Sequence, residues 1–244
     1  MDNIMSRLSI KDYERSCTAH HIDSLLDVLK PLRNKLSSPG RLLDIGCGFG
    51  GIALTLKSFL ELTEAYGVDI DENAVKEASE RGVIACKLDA SKETLPYPDN
   101  FFDLVTCFGV LDYFPTFDFT ILEACRVLKS RGYICVTLPN LASWHNRIAL
   151  LAGYQPRDIE ISSKYLVGVH PSYLRRGDRP VGHIHTITTK GFVQLMELYG
   201  FRMVSLRGAS PISRNDIPFY LQVIDKMLSK SPFFARRFIY LGVK

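Results

Sequence analysis

The sequence lacks the segments that direct a chain into or across a membrane. Six charged residues fall within the first seventeen positions, so this stretch has no apolar centre of the kind a signal peptide needs. No uncharged apolar run approaches the roughly 18 residues of a membrane-spanning helix. We therefore expect a cytoplasmic protein without a transmembrane segment.

Cysteine is sparse and scattered. The six cysteines form no C-x-x-C pair and no short-range cluster with histidine, which argues against a zinc site, a redox pair or an iron–sulfur site. They lie at Cys17, Cys47, Cys86, Cys107, Cys125 and Cys135. We expect reduced thiols and no bound metal ion.

The composition also lacks biased tracts and internal repeats. With 46% apolar and 23% charged residues, it is typical of a globular protein and excludes a disordered or fibrous chain. A length of 244 residues is common for one α/β domain, so we expect a single domain over residues 1–244.

The net charge of +4 hides an asymmetry between the two parts of the chain. Residues 1–140 carry 15 Lys and Arg against 20 Asp and Glu, whereas residues 141–244 carry 15 against 6. A basic half commonly faces an anionic ligand, and a solvated cationic surface is the alternative.

Short apolar runs alternate with stretches of helical periodicity along most of the chain. The predicted strands cover residues 41–45, 64–70, 83–88, 102–108, 132–138, 201–206 and 236–243. The predicted helices cover residues 12–32, 52–60, 71–80, 117–128, 141–151, 189–199 and 218–228. This alternation predicts an α/β fold with a doubly wound, mostly parallel sheet of seven strands. Such sheets bind ligands at the carboxyl ends of the strands, where the strand order reverses.

One long stretch, residues 153–182, is rich in glycine, proline and arginine and follows no periodicity. Loops of this length are usually functional lids or poorly ordered. We interpret residues 141–187 as a helical and irregular cap inserted after the fifth strand, with disorder as the alternative.

A glycine-rich turn joins the first predicted strand to the following helix. Missing side chains let a ligand approach the backbone, and the start of the helix offers free N–H groups. Gly46, Gly48 and Gly51 satisfy the dinucleotide spacing G-x-G-x-x-G, and Asp69 lies near the place of a ribose-binding acid. These glycines alone leave a nicotinamide enzyme open.

The residues around the glycines favour a different cofactor. Asp44 stands where a dinucleotide-binding strand is normally apolar, and Gly50 adds a further glycine, so residues 44–50 read D-x-G-x-G-x-G. This pattern resembles the first motif of the class I S-adenosylmethionine-dependent methyltransferases, and the similarity continues to residue 133. The resemblance implies S-adenosyl-L-methionine as cofactor and makes residues 41–140 the cofactor-binding core, between an N-terminal helical segment (1–40) and the cap. Residues 188–244 then complete the sheet.

The resemblance also implies which residues contact the cofactor. Asp69 takes the place of the family's acid that binds both ribose hydroxyls, and Asp89 the place of the acid that receives the adenine amino group. The implied residues are Asp44, Gly46, Cys47, Gly48, Gly50, Asp69, Ile70, Asp89, Ala90 and Phe108. The structural alternative is a helix cap for Asp69, a turn for Asp89 and a buried, fully hydrogen-bonded carboxyl group for Asp44.

The acceptor side departs from the family pattern. Many small-molecule members have L-E-H after the fourth strand, whereas residues 111–113 read L-D-Y, so Tyr113 stands in place of the histidine. Residues 139–147 and 183–185 resemble the MetW-like and polysaccharide-cluster branches of this methyltransferase family. The candidate catalytic residues are Tyr113, His145, His183 and His185, and the candidate anion ligands are Arg175, Arg176 and Arg179. On a strand, the second and third of these histidines would share one face.

The resemblance implies methyl transfer to an oxygen, nitrogen, sulfur or carbon atom. The basic half favours a small anionic acceptor, such as a sugar phosphate or a lipid-linked glycan precursor, with RNA or a protein side chain as the next candidates. A non-catalytic partner subunit and a nicotinamide oxidoreductase stay open as alternatives. So does a peripheral membrane contact of residues 219–240, which the closing elements of the sheet explain more simply.

Overall fold

Strands and helices alternate along the chain. The computed structural model describes residues 8–9, 12, 18, 21–36, 39–156, 158–170, 179–209 and 219–244, with side chains of the last range from residue 223. The strands are β1 (Arg41–Ile45), β2 (Glu64–Asp69), β3 (Ile84–Lys87), β4 (Phe102–Phe108), β5 (Leu128–Pro139), β6 (Arg202–Ala209) and β7 (Arg237–Val243). The helices are α1 (Ile22–Leu29), α2 (Gly51–Leu60), α3 (Glu72–Glu80), α4 (Asp118–Val127), α5 (Trp144–Leu151), α6 (Thr189–Leu198) and α7 (Phe219–Leu228), with 3-10 turns at Lys30–Leu32 and Leu111–Tyr113.

The strands form a seven-stranded sheet in the order β3-β2-β1-β4-β5-β7-β6. Strands β1 to β5 pair in parallel, and β7 runs antiparallel to both of its neighbours. This confirms the predicted doubly wound, mostly parallel sheet. The strand order reverses between β1 and β4, so the carboxyl ends of these strands border a crevice.

Helices cover both faces of the sheet, which explains the uninterrupted apolar runs in the central strands. Leu42 and Leu104 pack with residues of α1 and α2 on one face. Their neighbours Leu43 and Val105 pack with residues of α4 and α6 on the opposite face, because side chains alternate along a strand. All four side chains are fully buried.

β5 differs most from its predicted bounds, and His183 and His185 do not lie on a strand. β5 begins at residue 128 instead of 132, because Leu128 already pairs with Phe102. The pairing register shifts between Phe102 and Leu104, and Arg131 on β5 adopts a left-handed φ of 64°. Residues 183–186 form no strand, and Ile187 makes only an isolated bridge with Asn140.

The segment after β5 is mostly irregular. After α5, the described residues between 152 and 186 contain no helix and no strand. Two backbone amides, those of Ile184 and His185, donate to the carbonyl oxygen of Asp112 at 2.7 and 3.2 Å. The end of this segment therefore lies against the turn that follows β4. The division of the chain at residues 40, 140 and 187 stays a prediction.

Gly50, the residue that precedes α2, provides a test of the packing around this helix. Gly50 has a φ of 78°, and an added Cβ would lie 2.8 Å from the Val83 side chain. Gly200 has a similar φ of 83° with no heavy atom within 4 Å of an added Cβ. Alanine at either position costs about 1–2 kcal/mol for the left-handed backbone. We expect Gly50→Ala to lower the free energy of unfolding by a further ~1–3 kcal/mol from overpacking.

Urea unfolding of the two variants measures this difference, and Gly200→Ala is the matched control for the backbone contribution. Equal losses of stability in the two variants would contradict the tight packing of α2 against residues 78–83.

Candidate active site

A cavity of about 570 Å³ lies at the carboxyl ends of the strands. Its walls come from the glycine-rich turn after β1, the ends of β2 and β4, the turn after β3 and the 3-10 turn after β4. His183 closes it from the irregular segment, and Arg237 from the start of β7. The cavity therefore lies at the crevice that the strand order predicts.

The cavity brings together most of the residues that the sequence singles out. The lining residues among them are Asp44, Gly46, Cys47, Gly48, Asp69, Ile70, Asp89, Phe108, Tyr113 and His183. The remaining four, Gly50, Ala90, His145 and His185, lie outside the set of lining residues.

The Asp69 carboxylate holds the glycine-rich turn in place. One of its oxygens accepts the Gly48 amide at 2.8 Å, and the other accepts the Asp71 amide at 2.9 Å. Gly48 has a φ of 51°, and an added Cβ would meet no heavy atom within 4 Å. The turn therefore offers a backbone wall beside open space, and each carboxylate oxygen retains capacity to accept a further donor.

Asp44 is the most buried of the three acids. Its carboxyl group accepts a hydrogen bond of 2.7 Å from the Thr106 hydroxyl. Burial raises the pKa of Asp44 to about 7, although the Thr106 hydrogen bond acts in the opposite direction. A cation bound in the cavity would favour the ionised form of this group.

Asp89 lies in a more polar setting at the end of β3. Its carboxylate accepts the hydroxyl of Ser91 at 2.6 Å and the amide of the same residue at 3.1 Å, and it pairs with Lys92 at 3.0 Å. The hydrogen bond from the Ser91 hydroxyl is the main cause that lowers the pKa of Asp89. This acid is therefore ionised at neutral pH.

Cys47 is a neutral wall of the cavity and not a nucleophile. Burial is the main cause that raises the pKa of its thiol far above the usual range, and the neighbouring Asp44 and Asp69 add to it. A thiolate is the reactive form of cysteine, so this side chain is unreactive at neutral pH.

Asp112, His183 and Arg237 form a second group of polar side chains that line the cavity. The Asp112 carboxylate is 1% exposed, and its Oδ2 lies 3.1 Å from Nε2 of His183. Neither carboxylate oxygen receives a well-aligned hydrogen bond from the described residues. Burial raises the pKa of Asp112, and the nearby Arg237 and His183 lower it. The Tyr113 ring packs edge-on against His183 with centroids 5.1 Å apart.

The irregular segment positions His183 through a carboxylate. Glu160 accepts the backbone amides of Val181, Gly182 and His183 at 2.8, 2.6 and 3.1 Å. Three successive amides are thereby directed at one side chain, which fixes the path of the chain into the cavity.

The other predicted acceptor-side residues occupy different places. His145 is buried on α5, edge-on to Trp144 at 5.9 Å, and Nε2 of His185 forms a hydrogen bond with the carbonyl oxygen of Pro115. Arg179 is exposed. The other two arginines predicted as anion ligands lie outside the described residues. No group of three or more potential metal ligands occurs in the described part of the chain.

Three charged residues of the cavity, Asp12, Asp112 and Arg237, are not among the residues that the sequence singles out. Asp112 replaces the glutamate of the family's L-E-H pattern, and Arg237 is the charge at the start of an otherwise apolar strand. A charged residue at the end of a buried strand indicates a nearby partner or ligand, since unpaired charges are rarely buried.

Residues 43–136 match the sequence profile of a methyltransferase domain. The match covers 94 of the 244 residues, so this part of the chain is similar to that family. S-adenosyl-L-methionine is therefore the expected cofactor, and the match favours it over a nicotinamide. Assignment to the MetW-like branch stays a prediction.

The chain resembles curated proteins over part of their length. It is 35% identical over 136 residues to "Probable methyltransferase PMT19" of Arabidopsis thaliana, covering 55% of this chain and 20% of that protein. It is 29% identical over 167 residues to phthiotriol/phenolphthiotriol dimycocerosates methyltransferase 1 of Mycobacterium ulcerans, covering 58% and 60%. The chain therefore spans from a fifth to three fifths of the length of these relatives.

Solved structures share the fold of this chain. A SAM-dependent methyltransferase from Thermotoga maritima superposes with a TM-score of 0.58 and 19% identity, covering 100% of both chains. Among the described residues of our chain, every helix is too short or too polar to cross a bilayer.

Asp44 generates a pH dependence of stability. An unfolded aspartate loses its proton near pH ~4, whereas the folded chain retains the Asp44 proton up to about pH 7. The folded state binds more protons in this window, so the contribution of Asp44 to the free energy of unfolding falls as pH rises through it. We expect the stability difference between wild type and Asp44→Asn to decline between about pH 4 and 7 and then to level off.

Urea unfolding at closely spaced pH values measures this difference. The contributions of the other titrating groups are the same in both proteins and cancel in the subtraction. Thr106→Val is the companion variant, because loss of its hydrogen bond extends the decline to higher pH. A wild-type minus Asp44→Asn difference that is independent of pH would overturn the assignment of the shifted group.

Proposed function

We propose that the chain transfers the methyl group of S-adenosyl-L-methionine to a small anionic acceptor. The observation that carries this proposal is the convergence of three carboxyl groups and a glycine-rich turn on one cavity at the ends of β1, β2 and β3. These groups suit the cofactor chemically. Asp69 offers acceptor capacity to a ribose diol, Asp89 to the adenine amino group and Asp44 to the α-ammonium group.

The cofactor, when bound, supplies an electrophilic methyl group on a sulfonium centre. The chain's own residues align the acceptor, exclude water and receive the proton that the acceptor releases. Phe108, Val110 and Phe114 add apolar side chains to the lining of the cavity. The Asp112–His183 pair holds the proton, and Glu160 keeps the histidine in position.

An anionic acceptor is supported by the charges around the Asp112–His183 pair, the part of the cavity that we call the acceptor end. Arg237 is 6% exposed and lines the cavity, and the chain from residue 141 onward carries 15 basic against 6 acidic residues. RNA, a protein side chain and a non-catalytic role as a partner subunit are the alternatives.

Calorimetric titration with S-adenosylhomocysteine tests the cofactor site. We expect Asp69→Ala to weaken binding at least about 100-fold, because two charge-assisted hydrogen bonds are lost. The matched control is Asp71→Ala. The carboxylate of Asp71 also accepts two backbone amides, but this residue does not line the cavity. We expect the control to lose about 1 kcal/mol of stability and to bind within about twofold of wild type. Equal weakening in both variants would reject the assignment of Asp69.

Methyl transfer from labelled cofactor to free fatty acids, sugar phosphates and total RNA tests the acceptor end. We expect label in the anionic small molecules and a loss of about 100-fold in kcat/KM for His183→Gln. The matched control His185→Gln should stay within about threefold of wild type, because its ring lies outside the cavity.

Both histidine variants should bind S-adenosylhomocysteine as wild type does. Binding without transfer to any of these acceptors would favour the partner-subunit alternative. Equal losses in both variants would reject the Asp112–His183 pair as the proton acceptor.

A further inference from the structure

Two helices and the turn after them expose large apolar side chains next to one another. Ile148 and Leu151 on α5 are 57% and 89% exposed, and Val223 and Met227 on α7 are 57% and 68% exposed. The following turn adds Phe233 and Phe234, at 40% and 38%. We call these six residues the apolar face.

The spacing of these residues directs them outward together. Val223 and Met227 are one helical turn apart on α7, whereas Asp225 between them is fully buried. Ile148 and Leu151 are likewise one turn apart on α5. Each helix therefore presents an apolar stripe to solvent, which is the reverse of the usual arrangement in a globular protein.

Polar contacts beneath the face join its parts. The Trp144 indole N–H donates to the Asp225 carboxylate at 2.6 Å, which ties α5 to α7. The Trp144 amide donates to the Phe234 carbonyl oxygen at 2.9 Å. The Arg147 guanidinium lies 4.7 Å from the centre of the Phe234 ring and donates to the Phe233 carbonyl oxygen at 3.3 Å. The two helices and the turn thus form one continuous surface.

The charge on this surface has one sign. Arg147, Lys226 and Lys230 are exposed beside the apolar residues. Asp225 is the only carboxylate in residues 144–151 and 223–237, and its side chain is buried against Trp144. Large apolar side chains with a rim of cations, and without an exposed anion in these two ranges, match the boundary between the acyl chains and the headgroups of an anionic bilayer.

We propose that the apolar face docks the protein on an anionic lipid surface. The apolar side chains enter the acyl boundary, and the lysines and the arginine meet lipid phosphates. Arg237 lines the cavity and follows Phe234 by three residues, so docking brings this wall of the cavity near the lipid. Docking itself requires neither the cofactor nor methyl transfer.

Vesicle flotation without cofactor tests this proposal. The probes are phosphatidylcholine vesicles with and without phosphatidylglycerol, at low and high salt. We expect wild-type protein to float with the anionic vesicles at low salt and to be released by high salt. Leu151→Glu combined with Met227→Glu should weaken the partition at least about tenfold, because both side chains lose apolar contact and repel the lipid. Lys226→Gln and Lys230→Gln should each weaken it about fivefold.

Leu198→Glu is the matched control, because Leu198 is 78% exposed on α6, outside the apolar face. Circular dichroism melting verifies that every variant folds. Absence of flotation would overturn the proposal, and so would equal loss in the control. Light scattering that shows a dimer abolished by the double variant, without vesicle binding, would assign the face to a second copy instead. Failure of flotation leaves the methyl-transfer proposal untouched, since no cofactor is present.

Discussion

The hydrogen bond from the Gly48 amide to the Asp69 carboxylate is the contact on which the shape of the cavity depends. It joins the turn after β1 to the end of β2, two strands that already pair in register up to Ile45 and Val68. The amides of Gly46 and Cys47 donate to the Val68 carbonyl oxygen at 2.8 and 3.1 Å. Because these amides are satisfied within the protein, the turn holds its left-handed path by itself, and the part of the wall that Gly46 and Gly48 form is backbone without side chains.

Desolvation gives the acids around this cavity different states. Asp44 is buried with a single hydroxyl donor and holds its proton up to about pH 7, whereas Asp89 is stabilised as a carboxylate by Ser91 and Lys92. The cavity therefore contains a carboxyl group whose ionisation a bound cation would promote, and a permanent hydrogen-bond acceptor. Such a pair suits a ligand that carries both an ammonium group and neutral donors.

The irregular segment connects the cavity with the apolar face. Its first part, α5, is fixed through Trp144 to a buried aspartate of α7, and its last part is fixed through Glu160 and the carbonyl oxygen of Asp112. Because hydrogen bonds fix both ends of the segment, its position does not depend on burying the apolar residues of its outer side. A substrate with an apolar tail and an anionic head would meet both features of this arrangement.

The sequence by itself determined the alternation of strands and helices, the course of β1 and β4, and the motif from Asp44 to Asp89. These are local properties, since periodicity and glycine spacing act over a few residues. The tertiary structure alone decided that Asp112, His183 and Arg237 meet at one end of the cavity, because these residues are far apart in the chain and none belongs to a repeating pattern. It also decided which histidine lines the cavity: His145 has an equally suggestive sequence setting, but packing against Trp144 buries it on the inner side of α5. Side-chain exposure depends on what packs above each element, and a single chain's pattern does not contain that information.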